Sequence, residues 1–437
     1  MFYTEPAKKI KVAENVDTVV VGGGPAGIGA ALSAARNGAE TLIVEHFGCL
    51  GGIATSGVHT HLNQMNSEGV DDIIVGGIPL ELCRRVENKG IGKFKNGMLD
   101  FELEGMKREL DNMMEEAKVK ILYHTPAVDV IKKGNNLEGI IIENKSGRQA
   151  IFAKRVIDCT GDADIAFKSG VPFEFGRERD HKTQPCTLMF RVGGCDVGKV
   201  EKYRAENKDW GLNAIWKKAI ENRDMPPFQT QLMGFWYTHS RPDQIGVNFT
   251  NMTGVDATDG YQVSKAMTEG RKQAEITLNV MRKYLPGCEN AYMIDTAQML
   301  GVRETRRIKG EYTLTVDEVL SAKKFPETGV AKSAFFVDIH NPKGTGLFNP
   351  RHLPKGEHFD IPYGCLVPLK VESLLVAGRC ISVTHESLGA VRVMFQCMAM
   401  GEAAGAAAVK SIKEKTPLRK LNTPELREML KKQGVIL

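Results

Sequence analysis

The sequence predicts an α/β fold built around a parallel sheet near the amino terminus. Two observations lead to this prediction. An apolar run, a glycine-rich turn and a helix of small residues follow one another before residue 37, and a second apolar run then ends in an acid at Glu45. A chain of 437 residues is also long for one domain. We therefore expect two or three structural units around a substantial core.

Charge and composition restrict the class of protein. Lys and Arg exceed Asp and Glu by 58 − 53 = +5, without a block of like charge or the spacing of a nucleic-acid-binding motif. The opening MFYTEPAKKIKVAEN lacks the apolar region of a signal peptide. The longest run of small apolar residues, Ala390–Val409, contains Arg392 and Glu402, which argues against a membrane span. Nine cysteines occur singly, as is typical of a reducing compartment. We therefore expect a cytoplasmic protein with no nucleic-acid or membrane partner.

The segment DTVVVGGGPAGIGAALSAARNGAETLIVE predicts a strand, a turn, a helix and a second strand. Val19–Val21 form an apolar run that is typical of a strand buried on both faces. The turn has the pattern G-x-G-x-x-G, in which glycines allow a tight turn, close approach to a pyrophosphate and packing of helix on strand. Glu45, eighteen residues after the last glycine, could bind the ribose hydroxyls of an adenosine. The residues predicted to bind a nucleotide here are Gly22, Gly24, Pro25, Ala26, Gly27 and Glu45.

Three later segments extend the predicted site. GCLGGIATSG follows the ribose acid directly, and its small residues Gly51, Gly52, Ala54 and Thr55 would let the backbone run beside an extended cofactor. Thr160, Gly161 and Asp162 follow the predicted strand Val156–Asp158. Gly378 and Arg379 follow another predicted strand, Leu374–Ala377. Loops at the carboxyl ends of parallel strands are where open α/β sheets bind ligands.

These segments, with LGVRETRRIKGEYTLTVDEV and LLVAGRCISVTHESLGAVRVMFQCMAMGEAAG, resemble the FAD-dependent oxidoreductase family, related to the fumarate reductase and succinate dehydrogenase flavoproteins. The resemblance covers about residues 15–410. It implies a Rossmann-like FAD-binding domain of the glutathione-reductase type, formed by residues 1–170 and 355–437. It also implies an inserted α+β substrate or cap domain at residues 171–354.

The resemblance further implies how FAD is held. The backbone of Ala127 and Val128 would contact the adenine, and Gly378 would approach the ribityl chain and pyrophosphate. A helix beginning near Gly389 would point its N-terminus at flavin N1 and O2, where reduced flavin carries negative charge. Leu388, Gly389 and Ala390 would supply that close backbone. We expect noncovalent FAD, and the sequence leaves open whether Cys49 or His46 touches or attaches the flavin.

Candidate catalytic residues lie in two polar segments. His385 precedes the predicted flavin-facing turn and could exchange a proton with substrate. Arg303, with Arg306 as its alternative, could bind an anionic substrate through a guanidinium fork, and the two would share a face if the segment were helical. The competing interpretations are a structural histidine at position 385, and a solvated or interdomain ion-pair network formed by Arg303, Glu304 and Glu311.

Other aromatic and histidine residues remain ambiguous in sequence. His59 and His61 could form part of a metal site, but with no third ligand nearby they are predicted to belong to a polar loop. The residues Trp236, Tyr237 and His239 could line a substrate pocket or fill the core of the inserted domain.

The leading hypothesis is a flavoenzyme that transfers a hydride between a small polar or anionic organic substrate and flavin N5, as a dehydrogenase or reductase. One alternative is an NAD(P)H-dependent flavin monooxygenase, and another is a non-redox structural flavoprotein. No second glycine motif follows a strand, so we do not expect a separate NAD(P)H-binding domain. The sequence leaves open a separate electron donor or acceptor and assembly into a homo-oligomer.

Overall fold

The computed structural model describes residues 3–437. Met1 and Phe2 lie outside the described residues. They are the first two residues of the opening segment predicted not to be a signal peptide, and also of the predicted first domain. The strands are β1 Lys11–Val21, β2 Thr41–Val44, β3 His61–Leu62, β4 Gly92–Lys95, β5 Met98–Phe101, β6 Lys120–Leu122, β7 Ala127–Lys133, β8 Asn136–Asn144, β9 Gly147–Asp158, β10 Phe173–Phe175, β11 Phe190–Gly193, β12 Gly234–Thr238, β13 Arg241–Asn248, β14 Tyr292–Thr296, β15 Arg306–Ile308, β16 Gly329–Ser333, β17 Phe359–Pro362 and β18 Leu374–Val376.

The helices alternate with these strands in the first third of the chain, and the last two long helices form its carboxyl-terminal end. They are α1 Pro25–Arg36, α2 Ile78–Asn88, α3 Leu103–Glu116, α4 Asp164–Lys168, α5 Val197–Asn207, α6 Asn213–Glu221, α7 Gly260–Tyr284, α8 Val316–Leu320, α9 His385–Val391, α10 Met394–Lys413 and α11 Thr423–Lys432.

The largest sheet joins both ends of the chain. Its strand order is β6-β2-β1-β9-β8-β7, and β18 also pairs with β9. The pairs β1–β2, β1–β9, β2–β6 and β9–β18 are parallel, whereas β7, β8 and β9 form an antiparallel meander. The predicted α/β fold with a Rossmann-like nucleotide-binding sheet is therefore confirmed. The carboxyl ends of β1, β2, β9 and β18 lie together at one edge, where such sheets bind ligands.

Helices α1 and α10 pack against each other more closely than ordinary side chains allow. A Cβ atom at Gly29 would lie 2.1 Å from the carbonyl oxygen of Met398, and one at Gly401 would lie 1.9 Å from that of Ala26. The small residues of α10 make these closest contacts with α1. This packing fixes the start of α10 beside the glycine turn, because the backbones of the two helices are in contact.

The middle of the chain forms a second sheet with the order β12-β13-β11-β14. Its core contains Trp216, Phe190 and Phe249 and draws on residues 190–291. Residues from Ile308 to Leu353 instead pack into the larger core that the two chain ends share. The sequence placed the end of the inserted unit at residue 354, whereas the segregated core ends near residue 291. The division into two domains stays a prediction.

Candidate active site

A cavity of about 690 Å³ lies between the carboxyl ends of the parallel strands and the second sheet. Many residues predicted to bind the cofactor line this cavity, together with one of the predicted catalytic arginines. These are Gly22, Gly24, Pro25, Ala26, Glu45, Gly52, Ala127, Thr160, Gly161, Asp162, Gly378, Arg379 and Arg303. The cavity is therefore the place that the sequence predicted from several distant segments.

The glycines of the turn have two different roles, because some are required by packing and one faces the cavity. Gly22 has φ +99°, and a Cβ there would lie 2.5 Å from the carbonyl oxygen of Cys159. A Cβ at Gly27 would lie 1.8 Å from the carbonyl oxygen of Gly22, so these two glycines are required by packing. A Cβ at Gly24 would meet no protein atom within 4 Å. Gly24 thus faces the cavity, and no side chain among residues 3–437 caps the first turn of α1, which leaves its N–H groups available for an anion.

Glu45 is buried immediately after β2 and beside the glycine turn. Its carboxylate accepts hydrogen bonds from the backbone N–H groups of Gly23 at 2.6 Å and Phe47 at 2.8 Å. Carboxylate oxygens accept more than one hydrogen bond each, so the group can also bind ribose hydroxyls. The adjacent His46 lines the cavity with a half-exposed side chain. Cys49 does not line the cavity, and its Sγ lies 3.3 Å from the Oγ of Ser56.

The loop after β9 is held by the buried carboxylate of Asp158. This group accepts hydrogen bonds from the N–H and the hydroxyl of Thr160, at 3.0 and 2.7 Å, and from the N–H of Ala166 at 2.9 Å. Burial raises the pKa of Asp158 to about 6 despite these bonds. Asp162 lies at the other end of the loop and pairs with Arg379 at 2.8 Å. The loop and the end of β18 are therefore locked together at the cavity.

The helix that meets the cavity begins later than predicted. Leu388, Gly389 and Ala390 lie inside α9, fully buried and off the cavity. A Cβ at Gly389 would lie 2.7 Å from the carbonyl oxygen of Asp338, so this glycine serves packing. Instead, the cavity is lined by Val393 and Met394, where α10 starts without a side-chain cap from the described part of the chain. The N-terminus of α10, rather than that of a helix at Gly389, is therefore available to a negatively charged ring edge.

Two of the predicted catalytic residues do not reach the cavity. His385 lies at the first position of α9, with its Nδ1 2.8 Å from the fully buried carboxylate of Glu304. Arg306 lies in β15, pairs with Asp164 at 2.9 Å and covers the ring of Phe167. Arg303 and Arg306 share no helical face, because this segment is a loop followed by a strand. The alternative interpretation of a structural histidine fits His385, and Arg306 is held in an ion pair with Asp164 outside the cavity.

Five further predicted cofactor residues also lie off the cavity, although their neighbours line it. Gly51 has φ +109° and donates its N–H to the carbonyl oxygen of Gly23 at 2.8 Å. A Cβ at Gly52 would lie 2.9 Å from the Cα of Gly24. The Gly-Gly pair therefore packs against the glycine turn. The predicted residues off the cavity, besides those already described, are Gly27, Gly51, Ala54, Thr55 and Val128.

Arg303 is buried on the cavity wall and has one hydrogen bond, from Nη1 to the carbonyl oxygen of Pro185 at 2.7 Å, within the described chain. Burial, followed by repulsion from Arg392, lowers the pKa of Arg303 to about 10, so the guanidinium stays charged at neutral pH. Its remaining N–H groups are available to a ligand. The role of Arg303 in substrate binding stays a prediction.

Arg392, Asp338 and His340 complete a charged cluster that the sequence analysis missed. The Nη2 of Arg392 lies 2.8 Å from the Oδ2 of Asp338, and the Nε of Arg392 is buried without a partner in residues 3–437. Burial acts to raise the pKa of Asp338, but Arg392, His340 and Arg303 together lower it well below its usual range. Burial, followed by repulsion from Arg303, lowers the pKa of His340 to about 4. The available sequence signal was FFVDIH, in which two bulky aromatics are followed by the polar residues Asp338 and His340.

His59 also lines the cavity and is stacked on Trp236, with ring centroids 4.3 Å apart. Burial, followed by His61, lowers its pKa to about 3. His61 instead pairs with Asp100 at 2.6 Å, and no group of three or more metal-ligating side chains is found within residues 3–437. The polar-loop prediction therefore missed the place of His59 on the cavity.

The aromatic residues of the second sheet stay behind the cavity wall. Trp236 is buried beneath His59, Tyr237 binds Glu201, and His239 is exposed in the turn after β12. The eight buried cysteines and Cys49 are all free thiols. Among the helices described, none is both long enough and apolar enough to cross a membrane.

The residues of the cavity fit FAD. Gly24 leaves open space at an uncapped helix start, Glu45 lies beside it, and a second uncapped helix starts at Met394. These features provide anion-binding N–H groups at two separate places and a carboxylate at the first of them. The model of the FAD dependent oxidoreductase family matches residues 17–430. The chain belongs to this family. Its cofactor is FAD, and noncovalent attachment stays a prediction.

The chain is also similar to solved structures at low sequence identity. No curated protein matches this chain. A geranylgeranyl bacteriochlorophyll reductase-like protein from Thermoplasma acidophilum is 13% identical, with 97% of this chain and 84% of that chain covered and a TM-score of 0.48. The p-nitrophenol 4-monooxygenase PnpA from Pseudomonas putida is 11% identical, with 95% and 89% covered and a TM-score of 0.46. The predicted closer relation to fumarate reductase flavoproteins stays a prediction.

Proposed function

We propose that this FAD-dependent oxidoreductase transfers a hydride between a small anionic organic substrate and flavin N5, as a dehydrogenase or reductase. The observation that carries the proposal is the buried Arg303, whose guanidinium lines the cavity with most of its N–H groups unpaired among the described residues. Bound FAD supplies a two-electron acceptor or donor. The chain supplies the groups that bind and orient the substrate beside it.

The charge balance of the cluster formed by Arg303, Arg392 and Asp338 on the cavity wall supports an anion. Arg303 and Arg392 are cationic, whereas Asp338 is the acidic partner of this cluster. His340 and His59 are neutral at pH 7, because burial keeps both of their pKa values low. The cluster therefore carries a net charge of about +1 in a place that disfavours uncompensated charge. A substrate with one carboxylate would restore neutrality and could accept a bidentate bond from a guanidinium.

Apolar walls support a small substrate held away from water. Met189, Met233, Phe335 and Phe336 line the cavity near the second sheet. Exclusion of water strengthens the attraction between a carboxylate and the two arginines, because the local dielectric constant is low. Neither a separate electron donor or acceptor nor a homo-oligomer is needed for this half of the reaction, and both stay predictions, as does a cytoplasmic location.

The test is anaerobic titration of the yellow holoprotein with a panel of carboxylic acids and the matched primary amides, following the flavin absorbance. The proposal expects at least one acid to bleach the flavin, or to reoxidise prereduced flavin, while its amide has little effect. Equal reaction of an acid and its amide would overturn the anionic substrate. Rapid peroxide release with NAD(P)H alone would instead favour the monooxygenase alternative. A flavin that responds to no compound would favour the structural flavoprotein.

A further inference from the structure

The segment from Val337 to His340 brings two polar side chains to the cavity from between β16 and β17. Backbone bridges join Val337 to Arg351 and His340 to Leu347. The backbone of Asp338 also packs against Gly389 of α9 at a distance that leaves no room for a side chain there. The backbone that carries both side chains is therefore held by contacts with neighbouring segments of the chain.

The side chains of His340 and Asp338 lie within ion-pair distance of each other. The Nε2 of His340 lies 3.3 Å from Oδ1 of Asp338, and the other carboxylate oxygen binds Arg392. Such contacts are often long in ligand-free enzymes and shorten when substrate binds. Within residues 3–437, no hydrogen bond to the Nδ1 of His340 is found, although the residue lines the cavity. An imidazole oriented by a carboxylate at one nitrogen can accept a proton at the other.

We propose, building on the function proposed above, that His340 is the catalytic base and that the substrate is a 2-hydroxy carboxylate. The substrate carboxylate would bind Arg303 and Arg392, and the hydroxyl on the neighbouring carbon would donate to His340. Two arginines that can hold a carboxylate lie in the same cluster as a histidine positioned by Asp338.

The reaction balances without a further reactant. The hydroxyl O–H bond breaks and its proton passes to the Nδ1 of His340. The C2–H bond breaks, and the hydrogen leaves with both electrons as a hydride. C2 and its oxygen form a carbonyl, so the 2-hydroxy acid becomes a 2-oxo acid and is oxidised by two electrons. FAD is the two-electron acceptor that the family supplies, and the reverse sequence describes reduction of the 2-oxo acid.

Charges around His340 couple its basicity to substrate binding. Burial and the positive charges of Arg303 and Arg392 lower its pKa to about 4, while Asp338 acts in the opposite direction. A bound carboxylate cancels part of that positive charge, so the pKa of His340 rises when substrate binds. The base acts in its neutral form, and the rate therefore falls as the pH drops below its pKa. We expect the acid limb of kcat to lie at higher pH than that of kcat/KM.

His59 is the competing candidate, and it lacks the same support. Its ring stacks on Trp236, and its Nδ1 is buried without a hydrogen-bond partner in the described chain. No carboxylate positions it, because Asp100 pairs with His61. His59 can contact the substrate, but no carboxylate within residues 3–437 is paired with it, and burial together with His61 keeps its pKa low.

The first experiment measures flavin reduction in the holoprotein by stopped flow under anaerobic conditions. Lactate with propionate, and mandelate with phenylacetate, serve as matched pairs that differ by one hydroxyl. We expect a hydroxy acid to reduce the flavin. His340→Gln should slow that step by about a hundredfold or more while FAD stays bound. The exposed His239→Gln is the matched control and should behave like the wild type.

The second experiment does not depend on turnover. The imidazole of His340 is followed by ¹⁵N NMR in the oxidised holoprotein with and without phenylacetate, and its signal is assigned from its loss in His340→Gln. The proposal expects the pKa of His340 to rise by one unit or more with the ligand. An unchanged pKa, or a histidine variant that reduces flavin at the wild-type rate, would overturn the role of His340.

The outcomes separate this inference from the proposed function. If some other carboxylic acid bleaches the flavin but no 2-hydroxy or 2-oxo acid reacts, the anionic substrate stands and the 2-hydroxy acid is wrong. If phenylacetate fails to bind, and acids react no better than their amides, the proposed function itself fails.

Discussion

The Nδ1 of His385 lies 2.8 Å from the carboxylate of Glu304, which also binds Arg307. Glu304 and Arg307 are almost fully buried, so the three side chains form an internal network between the segment before β15 and the start of α9. A buried carboxylate needs its partners, because an unpaired charge is costly away from water. His385 therefore contributes to the structure around the cavity rather than to the chemistry inside it.

We expect His385→Ala to lower the free energy of unfolding by about 1.5–3 kcal/mol, because a hydrogen bond to a buried charged group is lost. The protein should stay yellow, and its rate of flavin reduction should change by less than about threefold at a temperature where it remains folded. Chemical denaturation and stopped-flow reduction would measure the two effects. A large loss of rate without a loss of stability would restore His385 as a catalytic residue.

The glycine turn provides a contrast between a cofactor glycine and a packing glycine. Gly24→Val should give a folded but colourless protein, because the new side chain enters open cavity space where FAD must approach. Gly27→Val should instead impair folding, since its Cβ would overlap the carbonyl oxygen of Gly22. Circular dichroism and the ratio of flavin to protein absorbance would separate these effects. A yellow Gly24→Val protein would contradict the cofactor site.

Arg303 and Arg306 are close in sequence but should respond differently to mutation. Arg303→Met should raise the dissociation constant of an anionic ligand about ten- to hundredfold, because a charge-assisted hydrogen bond is lost. Arg306→Met removes the ion pair with Asp164 and the contact with Phe167, and should cost about 1 kcal/mol of stability with little effect on binding. Ligand titration and thermal denaturation of both variants would measure the two effects. Weaker binding in Arg306→Met with unchanged binding in Arg303→Met would contradict these assignments.

The parts of the site that sequence could predict are those set by local chemistry. A strand, a glycine turn and a helix dictate their own geometry within a few residues, so the sequence could predict that Gly22, Gly24 and Glu45 lie together, and all three line the cavity. The position of His385 depends on a partner 81 residues away, Glu304, and no local pattern encodes that contact. The place of Arg392 in the site could not be predicted for the same reason, since its partner Asp338 lies in another segment of the chain.

The start of helix α10 was predicted at the wrong residue because a glycine there was interpreted as a cofactor contact. Gly389 resembled a glycine that lets backbone meet a ligand, but its space is filled by the backbone of Asp338. Helices α9 and α10 are separated at Arg392 and Val393. Neither residue is a glycine or a proline, so the usual sequence signal for a helix break is missing there. The start of α10 was therefore displaced in the prediction, although the helix itself was recognised.

Glu402 lies in the middle of α10 and contacts the start of α2. Its Oε2 accepts a hydrogen bond from the N–H of Ile78 at 2.9 Å, and Gly77 leaves it the necessary space. The side chain thus satisfies an end of α2 that no neighbouring side chain in the described chain caps. Burial raises the pKa of Glu402 to about 8, against a smaller lowering by the Ile78 hydrogen bond.

This raised pKa predicts that the stability of the protein falls between about pH 4.5 and pH 8. In that range the unfolded chain has released the proton of Glu402 while the folded protein retains it, so rising pH favours unfolding. The slope from this group is at most about 1.4 kcal/mol per pH unit. Glu402→Gln keeps a carbonyl oxygen for the N–H of Ile78 but cannot ionise, and should therefore match the wild type near pH 4.5 and exceed it near pH 8. Urea denaturation of both proteins across this range measures the difference, and parallel pH profiles would show that the carboxyl group is already ionised in the folded protein.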